Sequence, residues 1–243
     1  MQDFFGRAKA APDRVVVVLA EQGRSCTAGA LAQQALQMAQ WLAAQGLQPG
    51  ERFAVLLENR AEILALVLAA REAGVYAAVL STHLTADEVA YIVQDCDARL
   101  IVASSQTLPQ LADLPRTLAL PCWTVDEAQP QAASLPAALA ALPGPAIDLS
   151  DRPLGRDLLY SSGTTGRPKG VLKPLWPASL RGQCDPEALG TARLMQVDER
   201  TVYLSPAPLY HAAPLRYTLR VLELGGQAVI MERFDAENAL ALM

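Results

Sequence analysis

Short β-branched runs alternate with longer stretches of helical periodicity through the first hundred residues. Arg14 to Leu19 (RVVVVL) predicts a strand, and EQGR at 21–24 supplies a turn. From Thr27 onward Leu31, Ala35, Met38 and Leu42 share one face of a helix that Gly46, Pro49 and Gly50 bring to an end. Phe53 to Leu57 reads as a strand, and Ala61 to Ala73 as a helix apolar nearly all round, the pattern of an element buried between layers. After a strand over Val75 to Leu80, Thr85 and Glu88 have capping-box spacing, and Leu84 and Val89 are placed to staple the same helix start. That helix runs to Asp95, and a further strand follows over Arg99 to Ala103. The strand–helix rhythm predicts an α/β fold with parallel-rich sheets flanked by helices.

From Ser104 to Pro153 the pattern loosens, punctuated among others by Pro115, Pro121, Pro130, Pro136, Pro143 and Pro145. The Ala-rich piece at 132–142 reads as either a short exposed helix or part of a linker. A composition shift near 146–156 divides the chain into a first α/β part, 1–150, and a second part, 151–243, that opens with a strand over Asp157 to Ser161. Gly225 and Gly226 predict a turn before a strand over Ala228 to Met231, and ERFDAENALALM starts another helix. No repeat of fixed period is present.

Composition narrows the class. Apolar residues make up 51% of the chain and charged residues 19%, as in folded globular proteins. With 20 basic and 25 acidic residues the net charge is -5, and no basic block offers a nucleic-acid footprint. Positive charge for a polyanionic ligand must then be local, which directs attention to lysines beside glycines. Cys26, Cys96, Cys122 and Cys184 lie far apart with no C-x-x-C pair, as expected of isolated reduced thiols. The polar N-terminus lacks a secretory apolar stretch, and the run Ile63 to Ala70 is far short of the roughly 20 residues that span a bilayer. The expectation is a cytoplasmic protein without a membrane span.

One segment concentrates chemistry. Residues 160–171 read YSSGTTGRPKGV, in which a strand end delivers Ser161, Ser162, Gly163, Thr164, Thr165, Gly166, Lys169 and Gly170. Glycines let the backbone come close to a ligand, and consecutive N–H groups then converge on an anion. Hydroxyls add donors without bulk, and Lys169 adds a full positive charge. The residues describe a phosphate cradle. The P-loop pattern does not fit, because Pro168 stands where its second glycine belongs and Gly170 follows the lysine. No G-x-G-x-x-G follows a strand, and the G-x-S-x-G elbow of a serine hydrolase is missing, which leaves a Ser162–His211 hydrolase without support.

The segment closely resembles the phosphate-binding signature of the AMP-forming acyl-activating enzymes: acyl-CoA synthetases, luciferases and nonribosomal peptide adenylation domains. Every fixed position of that signature is present in 160–170. A second segment, YLSPAPLYHAAPLR at 203–216, is similar to the family stretch in which an aromatic–His pair lines the acyl and thiol channel. The resemblance implies that Tyr210 and His211 border the substrate carboxylate, with Lys169 and His211 as catalytic residues and Ser161 to Gly166, Lys169 and Gly170 as the nucleotide cradle. It implies ATP, Mg²⁺ and CoA as reaction partners and a carboxylic, expectedly fatty, acid as substrate. No protein-held metal set is implied. His83 reads as a loop residue ahead of a helix cap, and Lys173 as a solvated lysine.

The resemblance also marks what to expect of the chain's extent. No Tyr-Gly-x-Thr-Glu or later Thr-Gly-Asp follows, and Gly155-Arg156-Asp157 precedes the cradle and is not assigned to it. The expectation is the N-terminal portion of an acyl-CoA synthetase, incomplete for turnover and prone to self-association. The alternative is a non-catalytic nucleotide-binding or scaffolding fragment. Residues 172–187, which replace the usual following histidine, read as a lid or an insertion.

Overall fold

A computed structural model describes residues 1–142, 146–161 and 167–243. In chain order its first elements are α1 (Phe4–Ala10), β1 (Val15–Leu19), β2 (Arg24–Thr27), α2 (Ala28–Ala44), β3 (Arg52–Leu56), α3 (Ala61–Ala73) and β4 (Tyr76–Val79). Then come α4 (Ala86–Asp95), β5 (Ala98–Ala103), α5 (Leu114–Thr117), β6 (Cys122–Thr124), β7 (Ala133–Ser134) and α6 (Leu135–Ala140). The remainder comprises β8 (Arg156–Ser161), β9 (Lys169–Val171), α7 (Pro186–Met195), β10 (Val202–Ser205), α8 (Ala212–Glu223), β11 (Gln227–Ile230) and α9 (Ala236–Leu242). The α/β class with parallel-rich sheets is as the periodicity predicts.

The chain forms two compact units, each assembled from segments on both sides of residue 150. One comprises Leu36–Glu58 and Leu66–Ala178 and holds a seven-stranded sheet in the order β7-β6-β5-β3-β4-β8-β9. All its pairs are parallel except the last, β8 with β9. Strand β8 is seated on β4 with Tyr76 opposite Arg156 and Val79 opposite Leu159. The central strands have both faces covered, which is why their sequences are continuously apolar rather than alternating; every residue of β4 is buried. Ile63 through Ala70 are buried without interruption, as the all-round apolar pattern of α3 requires. On one side of the sheet Val89, Ile92 and Val93 of α4 join Ile101, Leu108, Leu111 and Leu158 in a continuous core, with Leu84 packed against it.

The stretch that reads as loose in sequence is partly built into this sheet. Strand β6 pairs with β5, and the Trp123 ring meets Trp41 edge-on at 5.3 Å. The Ala-rich piece contains the short helix α6, whose N-terminus is capped by Ser134 accepting from Ala137 N–H. The segment after β9 is tied down rather than standing off as a lid. Leu154 and Trp176 exchange two backbone hydrogen bonds, at 2.8 and 3.1 Å, and Arg156 stacks over the Trp176 ring.

The other unit comprises Met1–Ala35, Asn59–Ala65 and Ser179–Met243. Its sheet runs β10-β11-β1-β2, parallel until the final antiparallel pair. Strand β2 was not expected from the sequence: RSCT has no apolar alternation, and its pairing with β1 across the left-handed Gly23 (φ 59°) supplies what its side chains do not. Helix α1 is likewise legible only after folding. Asp3 caps it by accepting from Gly6 N–H, Phe4 and Ala8 are buried, and Phe4 N–H donates to the buried Glu223 carboxylate at 3.0 Å. The helical face Leu31, Ala35, Met38 and Leu42 is buried as its spacing predicts.

Candidate functional site

Strands β8 and β9, at the two ends of the segment 160–171, pair antiparallel. Ser161 and Lys169 are the last register pair of β8 and β9, preceded by Tyr160 with Gly170 and Leu159 with Val171. Residues 162–168 therefore connect two hydrogen-bonded strands, and Lys169 stands at the base of that connection. Ser162, Gly163, Thr164, Thr165 and Gly166 lie outside the described residues. Ser161 and Lys169 are both exposed, and the Ser161 hydroxyl donates to the Lys169 carbonyl at 3.5 Å.

Gly170 is glycine for a local reason. A Cβ at this position lies 2.9 Å from Cζ of Tyr160, whose ring the strand crosses. The Tyr160 hydroxyl in turn donates to Asp95 Oδ2 at 2.6 Å, at the end of α4. Burial of the phenol, joined by the Asp95 acceptor, pushes the Tyr160 proton loss to well above its ordinary range. One turn earlier on α4, Tyr91 receives the guanidinium of Arg167, 5.3 Å from the ring centroid. The hairpin is thus held against α4 at two points, and α4 carries the expected capping box: Glu88 N–H donates to Thr85 Oγ1, and Thr85 N–H donates to Glu88 Oε2 at 2.8 Å. Tyr76 fixes the chain beyond β9 by donating to the Lys173 carbonyl at 2.7 Å.

Tyr210 and His211 belong to the other unit. Tyr210 is buried, whereas His211 is exposed and occupies the N-cap position of α8 without a side-chain capping bond. Their rings meet edge-on, with centroids 4.6 Å apart. The turn that delivers them is organised by Asn59, a residue the sequence patterns do not single out. Its Oδ1 accepts from Leu209 N–H at 2.7 Å, and its Nδ2 donates to the Met231 carbonyl at 2.8 Å and the Ala207 carbonyl at 3.4 Å. Asn59 is buried, so an amide with all these partners is what the site tolerates. His83 lies in the exposed bend ahead of the α4 cap. Among the described residues no three His, Cys, Asp or Glu side chains converge as a metal site, and the four cysteines are free thiols.

The two strands that flank the Gly-Thr-Thr-Gly sequence are thus paired, with Lys169 in the last register pair. The sequence profile of the AMP-binding enzyme family matches residues 4–243. The chain belongs to that family. Among AMP-binding enzymes, the 2-succinylbenzoate–CoA ligase of Bacillus licheniformis is 29% identical over 234 residues, which are 96% of this chain and 45% of that protein. The long-chain-fatty-acid–CoA ligase FadD13 of Mycobacterium tuberculosis is 29% identical over 205 residues, 83% of this chain and 39% of that protein. The crystal structure of ATP-bound MatB from Rhodopseudomonas palustris superposes with a TM-score of 0.77 at 25% identity, covering 100% of this chain and 48% of that one. This chain spans less than half the length of each of the three. Among the described residues no helix is long and apolar enough to cross a membrane.

Proposed function

We propose that this chain supplies the polyphosphate-holding part of an AMP-forming acid–thiol ligase. In that reaction a carboxylate attacks the α-phosphorus of ATP, forming an acyl-adenylate as the bond to pyrophosphate breaks. A thiol, proposed as CoA, then attacks the acyl carbon and releases AMP. Charge accumulates on the β- and γ-phosphates as pyrophosphate departs, and positioned donors lower the barrier there. Lys169 at the hairpin base, with the hydroxyls of Ser161, Ser162, Thr164 and Thr165 and the N–H groups beside Gly163, Gly166 and Gly170, is assigned that role. Tyr210 and His211 are assigned to the carboxylate and thiol side. Mg²⁺ arriving with ATP would supply further charge neutralisation at the phosphates.

The observation that carries this reading is the pairing of Ser161 with Lys169, which brings the two described ends of the signature side by side and leaves the lysine exposed. The ATP-bound relative supports the nucleotide. The substrate is proposed as a fatty acid, in line with FadD13. An aromatic acid of the 2-succinylbenzoate kind is the second reading, since that ligase is equally similar. For the 243 residues alone, nucleotide binding without turnover is proposed, because the relatives are more than twice as long.

The test is Lys169→Ala. MgATP binding is expected to weaken about tenfold in calorimetric titration, and pyrophosphate release in the complete enzyme is expected to fall about 10²-fold, with the unliganded melting temperature unchanged. Undiminished pyrophosphate release would falsify the assignment. A panel of fatty and aromatic acids in the same assay decides between the two substrate classes.

A further inference from the structure

Lys169 is exposed, on a three-residue strand whose residues are all exposed. What surrounds that strand is fixed. Tyr160 lies under Gly170, directly across the ladder, and leaves no space for a side chain there. The phenol is pinned by Asp95 at 2.6 Å, and Arg167, two residues before Lys169, is pinned by the Tyr91 ring. Tyr91 and Asp95 are four residues apart on α4 and so project from one face. Behind them α4 is rooted in the core through Val89, Ile92 and Val93.

We propose that Tyr91 and Asp95 form a two-point clamp on α4 that positions Lys169 for the nucleotide's phosphates through Arg167 and Tyr160. The clamp acts on both sides of the lysine: Arg167 fixes the chain entering β9, and Tyr160 fixes the backbone that leaves it. Tyr91, Asp95, Tyr160 and Arg167 are therefore positioning residues, and none of them is assigned a contact with substrate. The proposal rests on reading the hairpin as the phosphate site. Because the Tyr160–Asp95 bond lies at the surface, its removal acts on the geometry of β9 more than on global stability.

Two readouts on the 243-residue chain test this. Trypsin cuts after lysine but poorly before proline, so the Lys169–Gly170 bond reports how firmly β9 is held while Arg167–Pro168 stays silent. Cleavage there is expected to accelerate severalfold in Tyr160→Phe, Asp95→Ala and Tyr91→Leu, and to stay near wild type in Asp95→Asn, which keeps an acceptor for the phenol. MgATP dissociation constants are expected to rise about fivefold, the worth of roughly one hydrogen bond, in the first three variants and to recover in Asp95→Asn, with unliganded melting unchanged. Unaltered cleavage in Asp95→Ala and Tyr160→Phe overturns the clamp. Faster cleavage with unaltered MgATP affinity overturns its positioning role while Lys169→Ala still weakens binding and the phosphate reading stands. If Lys169→Ala binds MgATP like the wild type, the reading and the clamp fall together. Equal losses in Asp95→Asn and Asp95→Ala, with lowered melting, reduce the pair to a structural contact and overturn the proposal.

Discussion

A Cβ placed on Gly155 lies 2.1 Å from the carbonyl oxygens of both Ala70 and Val75, and Gly155 N–H donates to the Arg71 carbonyl at 2.8 Å. These neighbours are backbone, so nothing can swing aside. Gly155→Ala is expected to cost about 3 kcal/mol or more, at the upper end of overpacking penalties, measured as a lowered midpoint of urea unfolding. The residue is therefore explained by the close approach of three backbone segments, which no tripeptide pattern around it discloses. The thiols show how burial acts at the same scale. Desolvation pushes Cys96 and Cys122 up to about 11 from an ordinary 9.0. Both thiols are expected to react slowly with iodoacetamide at pH 8 in the native protein and readily in urea. The folded-state values are raised, so the stability they contribute is complete below pH 9 and is lost as pH rises through about 11. Unfolding free energy measured from pH 8 to pH 11 should fall accordingly.

Helix α4 is the element on which local and long-range requirements meet. Its N-terminus was legible in Thr85 and Glu88, because a capping box is satisfied within four residues and needs no tertiary partner. Thr85→Ala is expected to destabilise the chain by about 1 kcal/mol, read as a lower thermal midpoint. The Glu88 carboxylate is held below its ordinary 4.5 by hydrogen bonds from Thr85. Its contribution is thus present above that value and disappears as pH falls through the lowered one. In Thr85→Ala this acid dependence should shrink, and an unchanged acid profile would count against the cap. The other end of α4 was not legible. Tyr91 and Asp95 read as ordinary positions of an amphipathic helix, and their partners Arg167 and Tyr160 are more than sixty residues away in sequence. Strand β2 is the converse case: RSCT lacks a strand pattern and becomes one because β1 offers an unpaired edge across a two-strand turn.

At the scale of the whole chain, large apolar side chains stand exposed in one of the two units: Leu194 at 86%, Leu240 at 70%, Val202 at 64% and Phe234 at 63%. Strand β10, which carries Val202, ends the order of its sheet. Exposed apolar surface beside an unpaired strand edge favours association. The 243-residue chain is expected to sediment as oligomers that dissociate on dilution, and a single monomeric species at every concentration would exclude this. Sequence by itself determined the elements whose signals are local: the buried α3, the one-sided α2, the capped α4, and a Gly-Thr-Thr-Gly-x-Pro-Lys-Gly segment specific enough to name a family. Their physical basis is periodicity, capping and backbone freedom, all of which act within a few residues. Tertiary structure alone decided that β8 joins β4, that Asn59 shapes the turn before Tyr210 and His211, and that the hairpin bearing Lys169 leans on Tyr91 and Asp95. Those outcomes depend on which surfaces meet across long stretches of chain, and a hydrogen bond between distant residues leaves no periodic trace in either of them.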